Sequence, residues 1–226
     1  MDNNEKTDNQ PITGEPIEEE SSNLESNNVI AEYSKRGYNY LKEDLLDEAE
    51  ENFKKIIEVE PENNYALVGL GDVERKRNNP HKAIEYYQLC LRYHEGNNYA
   101  LFGLADCYKA LQKYQKAIEI WEKYLIHDEN NITVLTRVAD AYRKVKNFRK
   151  SKEIYQLVLE KETDNAYALI GLGHLHYDFK EFEIALKYWE RMMHINKDNL
   201  DIRVLTSIGN CHRKLKTSYT AINPEG

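Results

Sequence analysis

The sequence predicts an all-α protein, a solenoid of stacked antiparallel helix pairs. The first observation is a strict 34-residue period, marked by Asn63, Asn97, Asn131, Asn165 and Asn199. A fixed period of this kind indicates small units that stack and bury a face against their neighbours. The second observation is helical spacing, because apolar residues recur at i, i+3, i+4 and i+7 in two runs per period. Two helices of about 12 to 14 residues and two short turns therefore fill each unit.

Each element of the unit has a physical reason. The periodic asparagine begins the first helix, because its side chain can accept a hydrogen bond from an unpaired backbone N–H. A small residue in the first helix lets the partner backbone come close, at Gly37, Gly71, Ala105, Ala139 and Gly173. An aromatic residue in the second helix fills the adjoining space, at Phe53, Tyr87, Trp121, Tyr155 and Trp189.

This pattern resembles the tetratricopeptide repeat family. The first repeat matches it through Tyr33, Gly37, Tyr40, Ala49, Phe53 and Pro61, and the third through Leu101, Leu104, Ala105, Tyr108, Ala117 and Trp121. The family's proline is kept only at Pro61, and Glu74 and His176 replace its tyrosine. The resemblance implies a right-handed α-solenoid with five full repeats at residues 30–63, 64–97, 98–131, 132–165 and 166–199, within a domain of residues 29–199.

Both ends of the chain differ from the repeats. Residues 1–28 hold eight acidic residues and one lysine, and we expect them to form a disordered acidic tail. This tail carries −7 of the chain's −8 charge, so the repeat body is close to neutral. Residues 200–226 match a partial sixth repeat or a capping helix. Three interpretations remain open there: a cap, a fragment of a larger regulatory protein, or a homo-oligomer interface.

Composition argues against several functional classes. No apolar run is long enough to span a bilayer, and the N-terminus lacks the apolar core of a secretory signal, so we expect a cytoplasmic protein without membrane contact. Cys90, Cys107 and Cys211 have no metal-ligand spacing and are expected in the core. His174 and His176 point to different helix faces. We therefore expect no enzyme, no metal site and no cofactor.

The resemblance places the first helix of each repeat along a concave groove. The candidate groove residues beside the small position are Tyr38, Asp72, Asp106, Asp140 and His174; those three residues further on are Arg75, Lys109, Arg143 and Tyr177; those above them are Tyr65, Tyr99, Tyr167, Phe102 and Ile170. Each aspartate either pairs with the cation at i+3 or contacts a guest peptide. The tyrosines either pack on the preceding repeat or offer rigid rings to a guest.

The preferred interpretation is a scaffold or adaptor that binds a peptide segment or helix of another protein in this groove. The family's clamp for chaperone C-terminal carboxylates is absent, because its places hold Ser34, Tyr38, Gly69, Tyr99 and Gly103. A basic edge in repeats 2 to 4 is consistent with helix-dipole compensation, with an acidic partner such as the chain's own Glu15–Glu25, or with an RNA-binding helical repeat. The groove aspartates argue against nucleic acid, because they repel phosphate.

Overall fold

The computed structural model describes residues 17–195 and 202–222, and within these ranges every regular element is an α-helix. Consecutive helices pack against each other in antiparallel pairs, and the pairs stack along the chain. The described helices are α1 (Ile17–Lys42), α2 (Leu46–Val59), α3 (Asn64–Lys76), α4 (Pro80–Tyr93), α5 (Asn98–Ala110), α6 (Tyr114–His127), α7 (Ile132–Lys144), α8 (Phe148–Lys161), α9 (Ala166–Asp178), α10 (Phe182–Ile195) and α11 (Ile202–Ile222).

The periodic asparagines begin the first helix of repeats 2 to 5, as predicted. Each side-chain Oδ1 accepts a hydrogen bond from the backbone N–H three residues later, at 2.9 to 3.1 Å, in α3, α5, α7 and α9. These bonds satisfy donors that a helix start leaves unpaired. Asn199 lies outside the described residues.

The turn inside each repeat contains one residue in the left-handed backbone region. These residues also recur every 34 positions, with φ between 57° and 63°: Asp44, Asn78, Gln112, Lys146 and Lys180. None is glycine, although this region costs other residues roughly 1 kcal/mol. Because the left-handed residue reverses the chain over a short distance, the second helix of each repeat can return alongside the first.

The predicted aromatic residues form the centres of successive core clusters. Phe53, Tyr87, Trp121 and Trp189 are fully buried, and Tyr155 is nearly so. Glycines in the facing helix allow this packing, since an added Cβ at Gly171 would lie 2.1 Å from Cζ of Tyr155. The core is therefore a row of five clusters rather than one central core.

Two glycines should respond oppositely to replacement by alanine. We expect Gly209→Ala to stabilise the protein by about 0.5 to 1 kcal/mol, because alanine is the better helix former and nothing lies within 4 Å of an added Cβ. Gly171→Ala should instead destabilise it by about 1 to 3 kcal/mol through overpacking. Urea denaturation of both variants measures the difference, and a stabilised Gly171→Ala variant would contradict the close approach of α9 to Tyr155.

Repeats 1 and 2 meet through a charged junction, which we define as Asp44, Asp47, Glu50, Glu74, Lys76, Arg77, Asn79 and Lys82. Glu74 is almost fully buried and accepts hydrogen bonds from Lys82 at 2.6 Å, Asn79 at 3.0 Å and Arg77 at 3.2 Å. The Arg77 guanidinium also contacts Asp47 and Glu50 of repeat 1. Lys76 bonds Asp44 Oδ1 at 3.0 Å. At this junction, the acidic residues of repeat 1 thus pair with the basic residues Lys76 and Arg77 of repeat 2.

The two ends of the chain differ in part from the sequence prediction. Helix α1 begins at Ile17, so residues 17–28 are helical rather than disordered, while residues 1–16 lie outside the described residues. Acidic composition did not exclude this helix, because glutamate is a good helix former and is favourable near a helix N-terminus. The 200–226 segment contains one described helix, α11, which packs on α10 and includes Ala221, the expected start of a second helix.

Candidate peptide-binding groove

The first helices of successive repeats line two cavities on the same side of the solenoid. The first cavity has a volume of about 820 Å³ and lies between α1, α3 and α5. The second has a volume of about 450 Å³ and lies between α5, α7 and α9. We call the surface that joins these two cavities the groove. Of the predicted site residues, the first cavity brings together Tyr38, Tyr65, Asp72 and Tyr99, and the second Lys109, Asp140 and Tyr167.

Three tyrosines at one repeat position stand exposed on this surface. The exposed fractions are 61% for Tyr65, 78% for Tyr99 and 74% for Tyr167. Among the described residues, these three side chains take part in no hydrogen bond and no ring contact. Tyr38 differs, because its ring packs edge-on against Phe53 and its hydroxyl donates to the Tyr65 carbonyl at 2.9 Å. The three exposed rings are thus available to contact a bound peptide, whereas Tyr38 is held in place by Phe53 and the Tyr65 carbonyl.

The groove aspartates are engaged within the protein. Asp72 Oδ1 accepts hydrogen bonds from the Arg75 guanidinium at 2.9 Å and from the Tyr87 hydroxyl at 2.8 Å. Asp140 pairs with Arg143 at 3.1 Å, and Arg143 also reaches Asp178 of the next repeat at 2.9 Å. The i, i+3 pairing predicted from the sequence is therefore present at Asp72 and Asp140.

Asp106 pairs across repeats instead of along its own helix. Arg137 of α7 donates to Asp106 Oδ1 at 2.6 Å and stacks over the Phe102 ring, 4.9 Å from its centroid. Lys109, the partner expected from the i+3 spacing, makes no ion pair with it. Burial raises the pKa of the Asp106 carboxyl above its ordinary value, and the positive charge of Arg137 partly opposes this effect.

The remaining predicted residues lie in or near the core of repeat 5. His174 and Tyr177 both contact the buried Trp189 ring, and the Ile170 carbonyl accepts from the Trp189 indole N–H at 3.3 Å. Burial lowers the pKa of His174, and the nearby Arg143 acts in the same direction. None of these three residues lines either of the two cavities, and repeat 5 contributes to the groove through Tyr167 at the start of α9.

Several residues that line the groove were not predicted from the sequence. Lys35, Lys42 and Asn64 line the first cavity, and Arg137 lines the second. A periodic signal was available, because Lys35 and Arg137 occupy the same repeat position, where repeats 2, 3 and 5 have glycine. A long cation at a position that elsewhere requires close packing indicates a side chain that turns outward into the groove.

The described residues show few features of other kinds of site. They contain no cluster of three or more metal-ligating side chains, and none of their helices is long and apolar enough to cross a membrane. The three cysteines are free and buried, and burial raises the pKa of the Cys90 and Cys107 thiols to about 11. His176 is buried against Tyr188 and bonds Glu181, consistent with a core histidine.

Comparisons with known proteins agree with this architecture. Residues 34–92 and 75–131 match the family model described as tetratricopeptide repeat. No curated protein matches the chain. Similar solved structures include a tetratricopeptide repeat protein from Parabacteroides merdae, which is 18% identical with a TM-score of 0.74 over 87% of this chain and 77% of that one. PilF of Pseudomonas aeruginosa is 15% identical, with a TM-score of 0.69 over 89% and 95% of the two chains.

A third similar structure is MamA 41-end from Desulfovibrio magneticus RS-1, at 13% identity and a TM-score of 0.70 over 76% of this chain and 98% of that one. At these identities the likeness concerns the fold alone. The fold is an α-solenoid of helix pairs. Residues 34–131 are tetratricopeptide repeats, and the described helices of the chain fit five to six such repeats.

Proposed function

We propose that this protein is a non-enzymatic scaffold that holds an extended segment of another protein in the groove. The tetratricopeptide fold supports a protein-interaction scaffold in general. Binding in the groove is supported above all by the row of exposed tyrosines at Tyr65, Tyr99 and Tyr167. Large exposed rings that the fold itself does not use are typical anchors of interfaces, because they bury much area and lose little conformational entropy.

The polar groups of the groove suit a main chain more than a nucleic acid. Asn64 and Asn97 line the first cavity together with Tyr65, and Thr133 and Thr136 line the second together with Tyr167. Amide and hydroxyl groups can bind the carbonyl and N–H groups of an extended peptide. The RNA-binding alternative has less support, because Asp72, Asp106 and Asp140 already pair with Arg75, Arg137 and Arg143, and these arginines are then not available to phosphate.

Affinity capture from a native extract tests the proposal. The double variant Tyr65→Ala/Tyr99→Ala should lose the partners that bind in the groove, because it removes two rings without touching the core. Tyr93→Ala is the matched control, since Tyr93 is 51% exposed on α4 and lines neither cavity. An identical set of partners for the wild-type chain and the double variant would place the binding surface elsewhere and defeat the proposal.

A further inference from the structure

The first cavity contains more unpaired positive than negative charge. Asp72, Asp106 and Asp140 are paired with arginines, while Glu60 of the first cavity and Glu162 of the second accept hydrogen bonds from neutral asparagine amides and keep their negative charge. The cations Lys35 and Lys42 of the first cavity, by contrast, make no ion pair or hydrogen bond with the described residues. Because these two lysines outnumber the single unpaired carboxylate of Glu60, an acidic occupant gains attraction in this cavity without having to separate an existing ion pair.

These two lysines define a spacing. They stand seven residues apart on α1, which is about two helical turns or 10.5 Å, so they lie on one face. A polyproline II chain repeats its direction every third residue and rises about 9 Å in that interval. Two carboxylates at i and i+3 of such a chain therefore match the two ammonium groups, within the reach of the flexible lysine side chains.

The chain carries this pattern itself, at Asp2, Glu5 and Asp8. The segment before Ile17 is long enough for these carboxylates to reach the two lysines. Lys35 lies 18 residues after Ile17, about 27 Å along the helix, and Asp8 lies nine residues before Ile17, about 28 Å of polyproline II. Lys42 lies about 38 Å from Ile17, and Glu5 can reach about 37 Å. Pro11 and Pro16 favour an extended chain in between.

We propose that residues 1–16 fold back along α1 and occupy the first cavity, with the carboxylates at positions 2, 5 and 8 against Lys35 and Lys42. The segment then competes with a partner for the Tyr65 and Tyr99 rings. Exposed ion pairs are individually weak, but a short tether gives an effective concentration of about a millimolar. An intrinsic dissociation constant of about that size is thus sufficient for half occupancy. This inference deepens the proposed function, since it concerns regulation of the same site.

A spin label on the full-length chain tests the position of the segment. Asn4→Cys places a nitroxide between Asp2 and Glu5, while the native cysteines are buried. At low salt, we expect broadening of the backbone amide NMR signals of Ser34, Tyr38 and Lys42. High salt should remove this broadening by screening, and so should Lys35→Glu/Lys42→Glu.

Two variants control for nonspecific effects. Lys116→Glu/Lys123→Glu has the same two-turn spacing on α6, lines neither cavity, and should keep the broadening. A third variant exchanges the charges by adding Asp2→Lys/Glu5→Lys/Asp8→Lys to Lys35→Glu/Lys42→Glu, and it should restore the broadening of the Ser34, Tyr38 and Lys42 signals. Three results would overturn the inference: no broadening at low salt, broadening that Lys35→Glu/Lys42→Glu leaves unchanged, or broadening centred on Lys144 and Lys146, which belong to the basic edge of repeat 4. Such a result leaves the partner-capture experiment untouched, so the two proposals fail separately.

Discussion

Replacing Trp189 with alanine is expected to lower the free energy of unfolding by about 3 to 5 kcal/mol, the range for removing a buried aromatic ring. Trp189 is fully buried at the centre of the repeat 5 cluster, where it contacts His174 and Tyr177 and donates to the Ile170 carbonyl. Alanine leaves a cavity and removes the donor of that carbonyl. The effect should be among the largest of any single substitution in the described chain.

The loss should be confined to one end of the solenoid. Because each repeat contacts its neighbours only, stability is nearly a sum of local terms. Amide hydrogen exchange of Trp189→Ala should therefore quicken in α9, α10 and α11 and remain near wild type in α3 and α4. Tyr99→Ala is the control, since a residue that is 78% exposed should change stability by less than about 0.5 kcal/mol. Uniform acceleration along the whole chain would contradict the row of separate clusters.

Replacing Glu74 with alanine should cost about 3 kcal/mol, the lower end for removing one partner of a buried charge pair. The estimate is at the lower end because Arg77 keeps Asp47 and Glu50, and Lys82 is half exposed. Chemical denaturation measures the loss. Glu85→Ala, on the exposed side of α4, is the matched control and should be nearly neutral.

The same carboxylate predicts a dependence on pH. Although burial disfavours its charge, hydrogen bonds from Lys82 and Asn79 hold the pKa of Glu74 below the ordinary value of 4.5. A lowered folded pKa means that the stabilisation is complete above pH 4.5 and is lost as pH falls through the folded value. The wild-type chain should therefore lose more stability than Glu74→Gln below pH 4.5. Equal losses in the two proteins would show that the charge of Glu74 does not matter.

The features that the sequence predicted are those carried within one repeat. Asn97 caps α5 because a cap requires only its own helix, and Trp121 is buried because its position repeats in every unit. The pairing of Asp72 with Arg75 follows from neighbours on a single helix turn. Periodicity and helix geometry are local, and so they can be read without a structure.

The features that were missed lie between repeats. Arg137 reaches Asp106 from 31 residues away and displaces the expected Lys109, and Arg77 crosses a similar distance to Glu50. Such contacts depend on the orientation of one helix pair relative to the next. Residue spacing within a single helix does not predict that orientation. The position of Lys35 and Lys42 in the first cavity was missed for the same reason, because this cavity forms only where α1, α3 and α5 lie side by side.

The charged junction between repeats 1 and 2 makes these units non-interchangeable. One period later, the places of Asp44, Asp47 and Glu50 are held by Asn78, His81 and Ile84, and Leu111 stands where Arg77 stood. There Ile84 and Leu111 belong to the same apolar cluster. A shuffled chain that joined repeat 1 directly to repeat 3 would set Asp47 and Glu50 against Leu111, without the Arg77 guanidinium that now pairs with both carboxylates. The contacts at each junction therefore fix the order of the repeats. Duplication of a single repeat would create a mismatched junction rather than a longer solenoid of the same kind.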